Sequence, residues 1–390
     1  MSNLTDRLKN YPAVVDLQKR AKKRLPLVAW EYLDMGTDND KTLDRNRDAL
    51  NAITFLPQFM QGNIQPDLKT SVFGREYSVP FGVAPVGLTG LMWPRTELIL
   101  AKSAAKYRFP YTLSMVATQT PEAVGAVAGD MGWFQLYPPR DPKMRADVLK
   151  RAKDSGFTTL VVTADIPAPS GRQRSVRAGL TMPPKITPRF IWQGITHPAW
   201  TIATLREGLP NLRTLNKYSE NGSMQEISVF VAQELGGTLD WDYLKEVRDL
   251  WDGPMVVKGI MRTDDAQKCI EIGAEGIQVS NHGGRQLDGA PAAIDMLPII
   301  AESVGDKATI LFDSGVRTGL DIIRALALGA DFVFLGRAFI SAVGAFGDDG
   351  GDHVANILMS EMKNDMANIG VKSIAEVKAM RENGFFHNNA

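Results

Sequence analysis

The chain contains 390 residues, and 44 lysines and arginines balance 44 aspartates and glutamates, so its formal net charge at pH 7 is zero. This balance argues against nucleic acid as a partner, because surfaces that bind nucleic acid are usually basic. Cys269 is the only cysteine, which excludes an intrachain disulfide framework and a cysteine-based metal site.

The amino-terminal part of the chain predicts helices rather than a targeting or membrane segment. It has no apolar stretch typical of a secretory signal, and the sequence contains no run of about 18 uncharged apolar residues. We therefore expect a cytoplasmic protein. Residues 1–79 are expected to form an extension that plugs or flanks the main fold, with helices over 13–23, 26–35 and 39–50 and irregular chain after them.

From residue 80 onward, short apolar runs alternate with amphipathic stretches, as parallel strands buried on both faces alternate with covering helices. The predicted strands are 81–84, 111–114, 133–137, 159–163, 255–258, 276–280, 310–313 and 332–336. The predicted helices are 96–107, 120–128, 142–154, 240–251, 263–272, 292–304 and 318–328. This alternation favours a (β/α)₈ TIM barrel over 80–345, although a doubly wound sheet shares the pattern. We expect 1–390 to be a single domain that ends in carboxy-terminal helices over 346–390.

A long insert, residues 168–238, follows the fourth predicted strand. Barrel active sites lie at that end of the strands, so the insert is expected to act as a lid. The apolar stretch 190–202 contains Phe190, Trp192 and Trp200. It either packs against the barrel or a second subunit, or contacts a membrane peripherally. The membrane interpretation would place the protein at the surface of the inner membrane.

The most informative motif is Ser-Asn-His-Gly-Gly-Arg-Gln-Leu-Asp over residues 280–288. It directly follows a predicted buried strand, so His282 and Arg285 leave the strand end on glycine-rich backbone. Histidine titrates near neutral pH and can take a proton from a substrate. Arginine can hold a carboxylate with two hydrogen bonds. The pair predicts chemistry at a carbon next to a carboxylate.

Further polar residues fall at or just past the predicted strand ends, which converge on one face of a barrel. These residues are Ser114, Gln135, Tyr137, Thr163, Asp165, Lys258, Asp313, Arg317 and Arg337. Lys258 ends an apolar strand, and a buried lysine requires an anion or dipole as partner. That partner is either a bound cofactor or, as the rival interpretation, a substrate held as a Schiff base.

Two glycine- and arginine-containing loops predict a phosphate site. Residues 313–319 follow the seventh predicted strand, and residues 335–338 follow the eighth. Barrels often bind phosphate in these two loops, where glycines let backbone N–H groups approach and arginine adds charge. The remaining histidines, His197, His353 and His387, show no metal-binding spacing, so we expect no metal site.

With the 280–288 motif, Lys258, residues 135–137 and residues 313–317 in view, the chain resembles the FMN-dependent L-2-hydroxy acid oxidase and dehydrogenase family. That family includes glycolate oxidase, lactate oxidase, the flavin lactate dehydrogenases and (S)-mandelate dehydrogenase. The resemblance runs from about residue 25 to the last barrel helix. Pro94 after Trp93, and His197-Pro198 with Trp200, are most similar to the mandelate dehydrogenase branch.

The resemblance implies a role for each matching residue. FMN would be the cofactor, an L-2-hydroxy acid the substrate, and a homotetramer the assembly. His282 would be the base, Asp165 its partner, and Lys258 the group that stabilises the reduced flavin. Substrate would contact Tyr32, Tyr137, Arg172 and Arg285. Flavin would be lined by Pro85, Val86, Gly87, Ser114, Gln135, Thr163, Lys258 and Ser280, and the ribityl phosphate by Asp313, Gly315, Arg317, Gly336 and Arg337.

Three departures from the family pattern refine this picture. Val116 stands where many members have tryptophan, which opens the substrate pocket to bulky or aromatic side chains as well as lactate-like ones. Gly87 stands where several oxidases have alanine, which favours a dehydrogenase that reduces a quinone or other acceptor over an oxidase that makes H₂O₂. Arg174 is an alternative to Arg172 as a substrate ligand. A phosphate-binding lyase or isomerase using Lys258, and a non-catalytic barrel, remain rival hypotheses.

Overall fold

The computed structural model describes residues 2–181, 185–218, 239–383 and 386–388, in which eight parallel strands close into a barrel. The strands are β1 (Phe81–Val83), β2 (Tyr111–Ser114), β3 (Gly132–Leu136), β4 (Thr159–Thr163), β5 (Met255–Ile260), β6 (Gly276–Val279), β7 (Thr309–Phe312) and β8 (Phe332–Leu335). Each strand pairs with the next along the chain, and β8 closes the ring on β1 through Val333 opposite Phe81. The predicted TIM barrel is therefore confirmed, and the open-sheet alternative is wrong.

A helix follows each strand and covers the barrel, as the sequence pattern predicts. The helices after β1 to β7 are Thr96–Tyr107, Pro121–Ala128, Pro142–Asp154, Trp241–Leu250, Thr263–Glu271, Ala293–Val304 and Gly319–Ala327. After β8 come Arg337–Phe346, Gly350–Asn368 and Ile374–Asn383. Capping explains several starts: Thr120, Asp141, Asp240 and Thr318 each accept a hydrogen bond from a first-turn backbone N–H with their side chains.

A β-hairpin, Thr70–Val72 with Arg75–Tyr77, closes the amino-terminal end of the barrel. The indole of Trp133, near the start of β3, donates to Tyr77 Oη at 3.2 Å. The ring of Phe73 packs against the same indole with centroids 5.8 Å apart. The sequence predicted irregular chain here. The missed signal is Phe73-Gly74, a two-residue turn in which both residues have positive φ.

The amino-terminal helices lie against the barrel flank and its carboxyl end. They span Ser2–Asn10, Val14–Arg24, Leu27–Asp34 and Lys41–Ala52. Arg337 fixes the third helix at the carboxyl end of the strands, because its guanidinium donates to the carbonyls of Leu33 and Met35 at 3.1 and 2.6 Å. A short strand, Ile53–Phe55, pairs antiparallel with Phe386–Asn388, which the prediction of an all-helical carboxyl terminus had missed.

The described part of the insert forms the helices Gln173–Ala178, Pro188–Thr196 and Pro198–Glu207. Two buried side chains fix it to the rest of the protein. Gln193 Oε1 accepts from Val28 N at 3.0 Å, and Trp200 Nε1 donates to Leu91 O at 2.9 Å. Residues 182–184 and 219–238 of the predicted insert lie outside the described residues.

The insert presents apolar side chains to solvent, which we name the apolar insert face. Its members are Ile191, Trp192, Ile195, Ile202 and Leu205, which are between 49% and 75% exposed. Their spacing places them on one side of each of the two consecutive helices. Among the described residues, no helix has the length and apolar character needed to cross a bilayer.

Candidate active site

A cavity of about 490 Å³ lies at the carboxyl ends of the strands, beneath the amino-terminal helix Leu27–Asp34 and the start of the insert. Most residues predicted for the site line it: Tyr32, Pro85, Val86, Gly87, Val116, Tyr137, Arg172, Lys258, His282, Arg285, Asp313, Gly315, Arg317, Gly336 and Arg337. The remaining predicted residues, Ser114, Gln135, Thr163, Asp165 and Ser280, do not line the cavity. Asp165 and Ser280 instead contact lining residues, as described below.

His282 and Asp165 form a hydrogen bond across the strand ends. His282 Nδ1 lies 2.8 Å from Asp165 Oδ1, which leaves Nε2 as the nitrogen available to a ligand in the cavity. His282 has φ of +57° and is followed by Gly283 and Gly284 at +63° and +75°. A left-handed histidine is strained. The two glycines are required here, because a Cβ on Gly284 would lie 2.6 Å from Leu43 N.

The environment of this pair favours a neutral imidazole on His282 paired with an ionised carboxylate on Asp165. Burial lowers the pKa of His282, while the negative charge of Asp165 opposes that effect. Burial raises the pKa of Asp165, but the charges of His282 and Lys258 outweigh it and bring the value down to about 2. Asp165 is therefore ionised at neutral pH and positioned to stabilise the imidazolium that forms when His282 takes a proton.

Lys258, at the end of β5, is buried among acceptors. Its Nζ lies 3.1 Å from Ser280 Oγ, 3.5 Å from Asp165 Oδ2 and 3.6 Å from Asp313 Oδ2. Burial lowers the pKa of Lys258, but the two carboxylates outweigh it and hold the pKa above its ordinary value. The amine is therefore a fixed cation, whereas a Schiff-base lysine must lose its proton to attack a carbonyl.

Gly259 lets Asp165 approach Lys258 so closely. It has φ of +101°, and a Cβ there would lie 2.5 Å from the Cβ of Asp165. The sequence did not predict this role for Gly259. The available signal was a glycine next to a lysine at a predicted strand end, where backbone approach is often tight.

Two arginines face the cavity with positive charge. Burial lowers the pKa of Arg285 to about 9, and the nearby charge of Arg172 adds to this effect. Arg285 remains protonated at neutral pH, and its Nη1 donates to the backbone carbonyl of Tyr32 at 2.9 Å. Neither guanidinium forms an ion pair with a carboxylate within the described parts of the chain. A substrate carboxylate would supply the missing negative charge.

Arg174, the alternative substrate ligand, is occupied elsewhere. Its guanidinium forms ion pairs with Glu31 at 2.5 Å, Asp34 at 2.8 Å and Asp40 at 2.7 Å. It does not line the cavity, whereas Arg172 does. These ion pairs join the insert to the amino-terminal segment, so Arg172 is the one of the two arginines that faces the cavity.

Two tyrosines add hydroxyl groups to the cavity wall. Tyr32 Oη donates to the carbonyl of Gly87 at 3.3 Å, and its ring lies under the guanidinium of Arg285 at 5.1 Å. Burial raises the pKa of Tyr137 to about 12. Its phenol therefore keeps its proton at neutral pH and can donate a hydrogen bond to a ligand.

The residues expected to contact the flavin ring have the hydrogen-bonding groups and apolar surface that such a ring requires. Ser114 Oγ donates to Gln135 Oε1 at 2.8 Å, which orients the amide of Gln135. Its Nε2 is fully buried and has no partner within the described structure. A buried amide donor without an acceptor is costly, and a flavin carbonyl or ring nitrogen would satisfy it. Pro85, Val86 and Gly87 give the cavity an apolar wall.

The loops after β7 and β8 fit a phosphate group. Burial lowers the pKa of Arg317 to about 10 and that of Arg337 to about 9, so both stay charged at neutral pH. Both donate to backbone carbonyls, which do not neutralise them. Helix Arg337–Phe346 begins beside Gly336, so its free N–H groups and positive dipole end add to the site.

Asp313 lines the same cavity as the arginines expected beside it but carries the opposite charge. It accepts from Ser280 Oγ at 2.5 Å and Gln278 Nε2 at 2.7 Å, and lies near Lys258. Because a carboxylate repels phosphate, its contacts fit a hydroxyl group of the ribityl chain better than the phosphate itself.

A buried amide pair, which the sequence did not predict, holds the loop that carries His282. Asn46 Nδ2 donates to Asn281 Oδ1 at 2.9 Å, and Asn281 Nδ2 donates back to Asn46 Oδ1 at 2.7 Å. Asp288, the last residue of the motif, accepts from Thr42 N at 2.9 Å. Helix Lys41–Ala52 therefore braces the loop that carries His282 and Arg285.

The apolar walls of the cavity were also missed. Four apolar side chains line it from the insert side: Ile166, Val176, Leu180 and Leu212.

Within the described residues, no group of three or more histidine, cysteine, aspartate or glutamate side chains could hold a metal ion.

Comparisons with known proteins agree with this geometry. The family model described as "FMN-dependent dehydrogenase" matches residues 21–382. A protein named L-lactate dehydrogenase from Pseudomonas aeruginosa (strain LESB58) is 39% identical over 369 residues, covering 94% of this chain and 97% of that protein.

Solved structures give the same result. The crystal structure of the monotopic membrane protein (S)-mandelate dehydrogenase superposes with a TM-score of 0.91 at 32% identity, covering 97% of this chain and 99% of that one. A mandelate oxidase structure has a TM-score of 0.80 at 31% identity, covering 94% and 96%. The fold, the cavity chemistry and these likenesses lead to one conclusion: the chain belongs to the FMN-dependent dehydrogenase family.

Proposed function

We propose that this protein oxidises L-2-hydroxy acids with bulky or aromatic side chains to 2-oxo acids and passes the electrons to a quinone or similar acceptor. One observation carries the proposal. The His282–Asp165 pair and two arginines without carboxylate partners, Arg172 and Arg285, line or support one cavity at the strand ends. A neutral base beside a carboxylate-binding surface is what removal of a proton next to a carboxylate requires.

The residues divide the reaction between them. Arg172 and Arg285 bind the substrate carboxylate, and Tyr137 donates a hydrogen bond. His282 Nε2 accepts one proton from the substrate, and Asp165 stabilises the resulting imidazolium. Bound FMN would supply the acceptor for the two electrons and the second proton that the hydroxy acid loses when it becomes the oxo acid. Lys258, as a fixed cation, stabilises negative charge that develops nearby.

The apolar wall supports a large substrate side chain. Val116, Ile166, Leu180 and Leu212 provide hydrophobic surface on the cavity. A pocket of this kind gains affinity with each buried methylene or ring. We therefore place mandelate-like and longer aliphatic hydroxy acids ahead of lactate, although lactate itself also fits. A panel of lactate, mandelate and phenyllactate tests this ranking, and the highest kcat/KM for lactate would contradict it.

The choice of acceptor depends on Gly87. The glycine agrees with a dehydrogenase, as the family pattern implies. An alanine here would be crowded, because a Cβ on Gly87 would lie 2.6 Å from Val116 Cγ2. An oxidase that forms H₂O₂ is the second candidate, because a mandelate oxidase is among the similar structures. Oxygen consumption during turnover separates the two. Oxygen uptake as fast as reduction of a soluble quinone would favour the oxidase.

The visible spectrum and one variant test the core of the proposal. The purified protein should be yellow, and anaerobic addition of a substrate should bleach it. His282→Ala should remain folded and yellow but reduce its flavin at least about 10²-fold more slowly. His197→Ala, a partly buried histidine in the insert, is the matched control and should keep full activity. Rapid bleaching of His282→Ala would remove His282 as the base.

The Schiff-base alternative has its own test. Borohydride with a carbonyl substrate would trap a covalent adduct on Lys258 in a lyase or isomerase. We expect no adduct, because the pKa of Lys258 is held above its ordinary value by Asp165 and Asp313 despite burial. A trapped adduct in colourless protein would replace the present proposal.

We further propose that the protein attaches peripherally to the inner membrane through the apolar insert face. Five large apolar side chains there are about half exposed or more, which is costly in water and favourable at a membrane surface. Vesicle flotation of the wild type and of Trp192→Ser/Ile195→Ser tests this, with loss of binding expected in the variant.

We also propose a homotetramer from the family resemblance. Light scattering that gave the mass of a single chain, 42.8 kDa, would contradict it.

A further inference from the structure

A second groove, of about 620 Å³, lies between helix Val14–Arg24 and the turn that joins the two helices of the apolar insert face. We name it the basic groove. Its amino-terminal wall carries Lys19, Arg20, Lys23 and Arg24, and its other wall is residues 196–199. It is separate from the active-site cavity, because the two share no lining residue.

The positive charge of the basic groove is not neutralised by its own residues. Arg20 Nε and Arg24 Nη1 both donate to the carbonyl of Ala345, at 3.0 and 2.7 Å, and this acceptor carries no net charge. Lys19 and Lys23 are exposed, and neither has a hydrogen bond or ion pair within the described ranges. Among the lining residues, Asp16 is the one carboxylate, so four cations face a single anion.

The basic groove is continuous with the apolar insert face. Its second wall is the turn between Pro188–Thr196 and Pro198–Glu207, and the same helices carry Trp192, Ile195 and Ile202. The second helix begins in the groove, so the positive end of its dipole adds to the field there. A ligand that suits both surfaces needs an anionic head and apolar chains.

We propose that the basic groove binds the phosphate headgroup of an anionic phospholipid while the acyl region covers the apolar insert face. This inference rests on the membrane attachment proposed above and adds a lipid class to it. Lys19 and Lys23 are the primary headgroup contacts, since the guanidiniums of Arg20 and Arg24 are already held by the end of helix Arg337–Phe346. A neutral lipid gains nothing from these charges.

Flotation of the FMN-loaded protein with two vesicle types tests the proposal. One type is pure phosphatidylcholine, and the other is an equimolar mixture with phosphatidylglycerol. The wild type should prefer the anionic vesicles, and high salt should weaken that preference. Lys19→Gln/Lys23→Gln should reduce partitioning into the anionic vesicles by roughly tenfold to thirtyfold, given the usual contribution of a basic residue near such a surface.

The matched control is Lys69→Gln/Lys307→Gln, which removes two exposed lysines at the opposite, amino-terminal end of the barrel. This control should keep the lipid preference, and all variants should keep wild-type turnover with a soluble acceptor. Equal binding of the wild type to both vesicle types overturns the proposal. So does an unchanged preference in the Lys19/Lys23 variant, or an equal loss in the control.

The design separates this inference from the membrane attachment itself. If the wild type binds neither vesicle type, the attachment proposal fails and the headgroup proposal fails with it. If Trp192→Ser/Ile195→Ser lowers binding to both vesicle types while the lysine variants bind like the wild type, attachment stands and the headgroup site alone is refuted.

Discussion

Replacing Asp165 with asparagine should slow flavin reduction by about 10²–10⁴-fold without removing FMN. The carboxylate lies 2.8 Å from His282 Nδ1. At an effective dielectric of about 20, opposite unit charges at that separation attract by about 6 kcal/mol. Part of this offsets desolvation, and the asparagine amide oxygen can still accept the Nδ1 hydrogen bond. The imidazolium that forms in the transition state therefore loses about 3–5 kcal/mol of stabilisation, and each 1.36 kcal/mol is a factor of ten in rate.

The same substitution predicts the direction of a change in pH dependence. Proton abstraction needs neutral His282, so activity rises with pH through its pKa. Burial lowers the pKa of His282, and the negative charge of Asp165 opposes that effect. Without that charge the pKa falls further. In the pH profile of kcat/KM, the rise on the acidic side (the acidic limb) should therefore move to lower pH, and the plateau value should fall.

Anaerobic stopped-flow bleaching across the pH range measures both effects. The control is Asp313→Asn, which removes a carboxylate 3.6 Å from Lys258 Nζ but none of the hydrogen bonds described for His282. Its acidic limb should move less than that of Asp165→Asn. A wild-type rate in Asp165→Asn, or a limb displaced to higher pH, would refute the reasoning that Asp165 stabilises the imidazolium.

Four further outcomes are expected. Gly87→Ala should cost about 1–3 kcal/mol in urea unfolding by overpacking against Val116, and Gly87→Ala/Val116→Ala should recover most of it. Arg285→Met should raise KM for the hydroxy acid roughly 30-fold to 1000-fold in steady-state assays, whereas the insert variant Arg189→Met should not. Gln135→Leu should raise the FMN dissociation constant about fivefold to tenfold in fluorescence titrations, and unchanged affinity would contradict the flavin contact. Burial raises the pKa of Asp165, yet His282 and Lys258 bring it to about 2 from 3.8. This group therefore stabilises the fold by about 2 kcal/mol above pH 4, and the effect disappears as pH falls from about 4 to about 2. The stability difference between wild type and Asp165→Asn in urea should shrink over that range.

Local pattern predicted the alternation of strands and helices and much of the cavity wall. Strands buried on both faces read as short apolar runs, and the covering helices repeat with their own period, so their order along the chain favours a barrel. The pairing of β8 with β1 then excludes the open sheet that shares this pattern. Because strand carboxyl ends converge, residues that follow predicted strands, such as Lys258, His282 and Arg317, were expected on one face. The structure places all three around one cavity.

Contacts between distant segments could not be predicted in this way. Three carboxylates of the amino-terminal segment hold Arg174 away from the cavity, which Arg172 lines instead. The exchange of hydrogen bonds between Asn46 and Asn281 joins residues 235 positions apart. Periodicity records which face of an element is buried, but not which residue of another element meets it. The sequence by itself therefore determined the alternation of strands and helices and the chemistry at the strand ends. Only the tertiary structure decided that the sheet closes into a barrel, which charges are paired and which remain available to a ligand.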